Sequence, residues 1–162
     1  MTAMNPDKDI IIEILKNLTL FRELNYNAVK ELTYLFSERV FQMGETIFEE
    51  NDAGNSLLVI ISGEVRISQR ADVSGEETLT VLKQGDFFGE MALLEDLPRS
   101  ATAIAHSDTF ILDISRERFL RFIEKDAASG VKILLTLAGN LSARLREADS
   151  KIKAFVNLSQ WL

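Results

Sequence analysis

Gly89, Glu90 and Arg99 carry the most specific chemistry in the chain, within the stretch Gly85-Asp86-Phe87-Phe88-Gly89-Glu90-Met91-Ala92-Leu93-Leu94-Glu95-Asp96-Leu97-Pro98-Arg99-Ser100-Ala101-Thr102. Gly89 lets the backbone approach a ligand closely, and the amides opening a short helical piece over residues 90–94 offer N–H donors to an anion. Beyond the Pro98 turn, Arg99 closes on such an anion with two parallel charge-assisted hydrogen bonds that a lysine does not reproduce. A carboxylate at Glu90 repels a phosphate unless it accepts hydrogen bonds from neutral hydroxyls of the same ligand, such as a ribose 2′-OH. The set therefore reads as a sugar-phosphate site. A plain Glu90–Arg99 ion pair that stabilises a loop is the competing interpretation.

Other chemistries find little in this chain. It has no cysteine, which excludes thiol nucleophiles, thiolate zinc sites, iron–sulfur clusters and disulfide frameworks. The single histidine, His106, follows an alternating strand pattern and reads as a solvated surface group; a jelly-roll metalloenzyme needs more histidine ligands than one. No nucleophile elbow or Gly-x-x-x-x-Gly-Lys loop is present, and Glu49-Glu50-Asn51-Asp52 and Glu76-Glu77 lack calcium-loop spacing. Binding rather than catalysis is expected, with no cofactor or metal. Lys and Arg number 18 against 25 Asp and Glu, and a net charge of -7 argues against a nucleic-acid surface. The first apolar run, residues 10–21, is broken by Glu13 and Lys16 and is shorter than the ~20 residues that cross a bilayer. These features predict a cytoplasmic protein without a membrane segment.

With 162 residues, 46% hydrophobic and 27% charged, the chain suits one globular domain spanning residues 1–162. A domain of this size buries roughly 70% of its unfolded surface. Residues 1–37 show helical spacing, first through Ile11, Ile14, Leu15 and Leu18, then through Val29, Leu32, Leu35 and Phe36 behind an Asn25 or Asn27 cap. Over residues 38–114 the period falls to two, as in Thr78-Leu79-Thr80-Val81 and Thr102-Ala103-Ile104-Ala105, with glycine turns such as Ser62-Gly63-Glu64 and Gln84-Gly85-Asp86. That pattern predicts a mainly β sandwich, jelly roll or small barrel. Residues 115–162 return to helix, capped by Ser115, with a break and hinge near Ser129-Gly130. Leu134, Ala138, Leu141, Leu145, Ala148, Ile152 and Phe155 then alternate four and three apart. Such a narrow seam predicts a parallel homodimer through this helix; packing against the chain's own β domain is the alternative.

Phe88-Gly89-Glu90-Met91-Ala92-Leu93 and Pro98-Arg99-Ser100-Ala101-Thr102 resemble the phosphate-binding cassette, here residues 88–102, of the cyclic nucleotide-binding domain family. Phe41-x-x-Gly44-Glu45-x-Ile47-Phe48, Asn51-Asp52-Ala53-Gly54-Asn55-Ser56-Leu57 and Ile60-Ile61-Ser62-Gly63-Glu64-Val65 resemble the family's early turns in order and spacing. The resemblance implies a double-stranded β-helix, a jelly-roll-like β-roll, flanked by N-terminal helices and a long C-terminal helix. It implies a sensor module whose ligand is cAMP or cGMP; the alternatives are a ligand-free dimerisation scaffold of the same fold and the sensor fragment of a longer transcription regulator. Glu90 would accept the ribose 2′-OH, Arg99 would pair with the cyclic phosphate, and the amides of Gly89, Glu90, Ala92 and Ser100 would complete the cradle. Phe88 and Ala101 of the cassette would belong to the same ligand site, and Val81 and Met91 would line the base.

In the same family the long helix acts as a lid on the base, and in the catabolite-activator branch it also forms the dimer seam. Its Arg-Leu signature puts Arg144 near the ligand. Ala148 and Asp149 fall where cAMP-specific members often carry small hydroxyl residues, which is a departure. An acid there suits the adjacent donors of guanine, and with the Ser100 hydroxyl it resembles the combination of cGMP-preferring relatives. Ser100 is equally usual in bacterial cAMP sensors, however, and Asp149 also suits a solvated flank of the seam; cAMP is the favoured ligand. Activator relatives continue into a helix-turn-helix domain, while this sequence stops at Trp161-Leu162, so no direct DNA binding is expected of it. Trp161 is expected to dock on the partner helix or the β domain.

Overall fold

A computed structural model describes residues 7–71 and 75–159. Two short helices come first, α1 (Lys8–Asn17) and α2 (Tyr26–Leu35). The Asn25 side chain accepts the Ala28 amide at 2.9 Å and so starts α2. Among the described residues, eight strands follow: β1 (Ser37–Phe41), β2 (Thr46–Phe48), β3 (Ser56–Ser62), β4 (Val65–Ala71), β5 (Gly75–Leu82), β6 (Phe87–Phe88), β7 (Thr102–Ala105) and β8 (Thr109–Ser115). A single helical turn, α3 (Met91–Leu94), separates β6 from β7, and α4 (Arg116–Lys125) and α5 (Ala127–Ser159) close the described chain. Trp161 lies outside the described residues.

All strand pairs are antiparallel and form two four-stranded sheets, β1-β8-β3-β6 and β2-β7-β4-β5. The apolar run of β3 is explained by its position. Leu57, Val59 and Ile61 point to the helical layer, with Phe21, Phe36, Phe119, Phe122, Ile133 and Leu137, while Leu58 and Ile60 point between the sheets toward Phe41, Phe88, Val65 and Ile111. A strand buried on both faces loses the polar alternation of a half-solvated one. The protein is thus a mainly β, jelly-roll-like β-roll with helices packed on one sheet and a long C-terminal helix.

Ser115 caps α4 as expected, its side chain accepting the Arg118 amide. The break between the last two helices lies at Asp126, not at Ser129-Gly130. Asp126 leaves helical geometry (φ -126°, ψ 75°), and its carboxylate accepts the Ser129 amide at 3.1 Å, capping α5. Hydrogen bonds from Ser129 hold that carboxyl below its ordinary range. Ser129 and Gly130 are buried in the first turn of α5, where Gly130 packs against Ile123 of α4.

The expected seam of α5 is divided. Ile133 and Leu137, outside the predicted a/d set, are the residues that enter the core, with Leu134 partly buried beside them. From Ser142 onward every described residue is exposed, including Leu145, Ile152 and Phe155 at 63%, 61% and 74%. At 1.5 Å per residue, the 33 residues of α5 extend about 50 Å, so its outer half projects beyond the core it starts on. Among the described residues, no helix is long and apolar enough to cross a membrane.

Candidate functional site

A cavity of about 400 Å³ opens between the β4–β5 hairpin, the β6–α3–β7 segment and α5. Phe88, Gly89, Glu90, Met91, Ala92, Arg99, Ser100, Ala101 and Arg144 all line it. Residues 54 positions apart in sequence therefore meet at one place, because α5 folds back past the turn that carries Glu90.

Arg99 is only 8% exposed. Its guanidinium donates to the Ser56 carbonyl at 3.0 Å and the Ser56 hydroxyl at 3.1 Å, and lies 4.2 Å above the Phe48 ring. Its backbone is clamped as well: the Arg99 amide donates to the Asp52 carbonyl at 2.8 Å, and the Asn51 amide donates to the Arg99 carbonyl at 2.9 Å. The fit requires glycine twice. A Cβ on Gly89 (φ +75°) would stand 2.4 Å from Arg99 Nη1, and one on Gly54 would stand 2.3 Å from Arg99 Nε. Among the described residues, no carboxylate lies within ion-pair distance of Arg99. Burial accordingly pushes the guanidinium below its ordinary value, an effect that the more distant Asp113, Asp52 and Glu90 oppose and Arg39 reinforces.

Glu90 is 3% exposed and pairs with Arg144 of α5, not with Arg99. The competing interpretation of a Glu90–Arg99 loop ion pair is therefore not realised. A buried carboxylate requires a partner, and here α5 supplies it. The turn behind it is partly self-satisfied: the Ala92 amide donates to the Gly89 carbonyl and the Leu93 amide to the Glu90 carbonyl, both at 3.1 Å. Ala92 lines the cavity, but its amide, expected in the anion cradle, is engaged. Among the described residues, the amides of Gly89, Glu90 and Ser100 have no protein acceptor.

Two expected residues are absent from the lining. Val81 stands on the opposite face of β5 from Thr80 and Leu82, which line the cavity, because neighbouring strand residues point to opposite faces. Leu79 also reaches the cavity through an irregularity: Ile67 pairs with Thr80 and Ser68 with Thr78, leaving Leu79 as the extra residue of a bulge. Asp149 is likewise off the cavity. Five helical residues rotate it about 140° from Arg144, whereas Glu147, three residues on, shares Arg144's face and lines the wall. Glu147 is bonded to Lys151 at 2.8 Å, which holds its carboxyl below the ordinary range.

Phe48, Ile67, Gln69, Leu82 and Pro98 complete the wall. Gln69 donates to the Ser100 carbonyl at 2.7 Å and ties the sheet to the segment carrying Arg99. The chemistry of the cavity is that of one buried cation, one buried anion and free amides at one end, with an apolar β-sheet wall at the other. Among the described residues, no group of three or more His, Asp or Glu side chains is gathered to hold a metal, and His106 is exposed and does not line this cavity.

A β-roll that presents such a cavity under a terminal helix is a ligand-binding module. Residues 38–126, more than half of the 162, match the model of the family described as "Cyclic nucleotide-binding domain", and the chain belongs to that family. The chain is similar to the "Cyclic AMP receptor protein" of Thermus thermophilus, with 37% identity over 139 residues, 85% of this chain and 62% of that protein. Among solved structures, it resembles the catabolite activator protein of Thermus thermophilus (TM-score 0.76, 35% identity, 84% of this chain and 62% of that one). It also resembles a cyclic nucleotide-binding domain from Methylobacillus flagellatus (TM-score 0.77, 28% identity, 90% and 82%). The chain spans about three fifths of the length of the curated relatives it first matches.

Proposed function

We propose that this chain is a sensor module that binds a 3′,5′-cyclic purine nucleotide, cAMP in preference to cGMP, and couples binding to the position of α5. The observation that carries the reading is Arg99, a buried guanidinium without a carboxylate partner beside unengaged amides at the wall of a cavity. A cation in that setting is stabilised by an anionic ligand. The cyclic phosphate would meet Arg99 and the amides of Gly89, Glu90 and Ser100, the ribose 2′-OH would donate to Glu90, and the base would lie on Ile67, Leu79, Leu82 and Met91. The Thermus relative, named for cyclic AMP, supports adenine. So does the position of the acids, since Asp149 is off the cavity and Glu147 is bonded to Lys151.

Glu90 would serve both ligand and helix. A ribose hydroxyl arriving at its carboxylate redistributes the contact with Arg144, so occupancy of the cavity biases α5. The exposed Leu145, Ile152 and Phe155 on the outer half of α5 support a homodimer formed through this helix, and ligand affinity and dimer geometry would then be linked reciprocally. The net charge of -7 supports a role without direct DNA contact by these residues. Calorimetric titration with cAMP, cGMP and 5′-AMP tests the reading. One cAMP per chain is expected, with cGMP weaker and 5′-AMP weakest; binding of neither cyclic nucleotide would overturn it.

A further inference from the structure

Arg116 opens α4 and makes two contacts that no other residue of that helix makes. Its backbone amide donates to the Asn55 carbonyl at 2.6 Å, and its Nε–H donates to the Leu93 carbonyl at 3.0 Å. Both acceptors belong to segments that build the anion end of the cavity. Asn55 precedes Ser56, whose carbonyl and hydroxyl hold the Arg99 guanidinium. Leu93 lies in α3, directly behind the turn that carries Gly89 and Glu90, and its amide returns to the Glu90 carbonyl. Arg116 itself does not line the cavity and, among the described residues, forms no ion pair.

On its other side, Arg116 belongs to a pair of helices that pack on each other. The helix it opens is joined to α5 by Asp126 alone, the Gly130 amide donates to the Asp126 carbonyl at 2.9 Å, and Gly130 packs on Ile123. We infer that Arg116 is a positioning residue that links the anion end of the cavity to the α4–α5 unit, so that ligand-driven movement of the cassette is passed to α5 through the Arg116–Leu93 bond. A cationic donor on a helix's carbonyl end is a strong, directional contact, and a displacement of α3 shifts the carbonyl to which Arg116 is bonded. The link is separate from the Glu90–Arg144 contact, which joins the same two units through different side chains. Asp126 joins the two helices, and Arg116 sets where the first of them sits.

This inference rests on the nucleotide-binding reading, and its test separates the two. The chain has no cysteine, so Met43→Cys and Lys153→Cys, both at exposed positions, allow a spin-label pair between the β-roll and α5. Distances are measured by double electron–electron resonance with and without saturating cAMP, in the parent, in Arg116→Met and in Arg116→Lys, alongside calorimetric affinity. The parent is expected to show a cAMP-dependent shift. Arg116→Met, which keeps an apolar stem but loses the donor, is expected to retain affinity within about 3-fold while losing more than half of the shift. Arg116→Lys, which keeps a cationic donor, is expected to restore most of it. A full shift in Arg116→Met, a parent that binds cAMP without any shift, or a loss of shift that Arg116→Lys does not relieve would overturn the inference. Absence of cAMP and cGMP binding in the parent would instead overturn the reading beneath it.

Discussion

Arg99 and Arg144 face the same cavity from two regions held in different ways. Arg99 sits in a segment clamped through its backbone by Asn51 and Asp52 and through its side chain by Ser56 and Phe48. Arg144 sits on the outer half of α5, its side chain 48% exposed. Its contact with Glu90 is, among the described residues, the one hydrogen bond from residues 142–159 to the β-roll. One arginine is pre-organised and costs little further ordering when an anion arrives; the other is placed by a single contact that the ligand itself would share. On the proposed reading, affinity would come from the clamped region and response from the projecting one.

Substitutions at the two arginines should therefore separate binding from response. The largest effect is expected from Arg99→Lys, which keeps the charge but loses the planar fork: affinity for cAMP should fall roughly 30- to 100-fold by calorimetry. Glu90→Gln keeps the shape of the side chain but removes the charge that both the ribose and Arg144 would use. Titration should show about a 10-fold loss, and the response of α5 should weaken with it. Arg144→Ala should cost affinity only about 3-fold while leaving Glu90 buried without its cation. Its signatures are a lowered melting temperature and a reduced cAMP-dependent displacement of α5. An affinity loss in Arg144→Ala as large as that in Arg99→Lys would break the comparison.

The smallest effect on binding belongs to Asp126. Its removal in Asp126→Ala should leave cAMP affinity unchanged and lower stability by about 1 kcal/mol, the usual worth of a helix cap. The carboxyl lies below its ordinary value of 3.8 in the folded protein, so its contribution is present above that value and is lost as pH falls through the lower folded one. Thermal melts of wild type and Asp126→Ala should differ at neutral pH and converge as the pH drops below about 3.8.

The clamped region was also the legible one. Gly89, Glu90 and Arg99 lie within eleven residues of one another, and the turn chemistry that brings them together is written in consecutive positions. Ser56 and Phe48 were not visible as Arg99's partners, because they reach it from strands 43 and 51 residues upstream and neither has a side chain that marks an anion site. Val81 does not line the cavity: Leu79, Thr80 and Leu82 do, and the bulge that brings Leu79 there is an irregularity of strand pairing with no mark in the sequence. In α5 the apolar residues Ile133, Leu134, Leu135 and Leu137 stand nearly side by side, so spacing alone does not tell which face meets the core; packing on the β-roll and α4 selects Ile133 and Leu137, with Leu134 at the edge. Reading Ser129-Gly130 as a break treated glycine as a helix breaker, where close packing on Ile123 is what the position requires.

The most direct test of the central assignment is a comparison of cAMP with adenosine, which lacks the phosphate, on wild type and Arg99→Ala. Calorimetry should show wild type preferring cAMP by at least about 100-fold, as expected for two charge-assisted hydrogen bonds, and Arg99→Ala should bind the two ligands almost equally. A preference for cAMP that survives in Arg99→Ala would place the phosphate elsewhere and contradict the account.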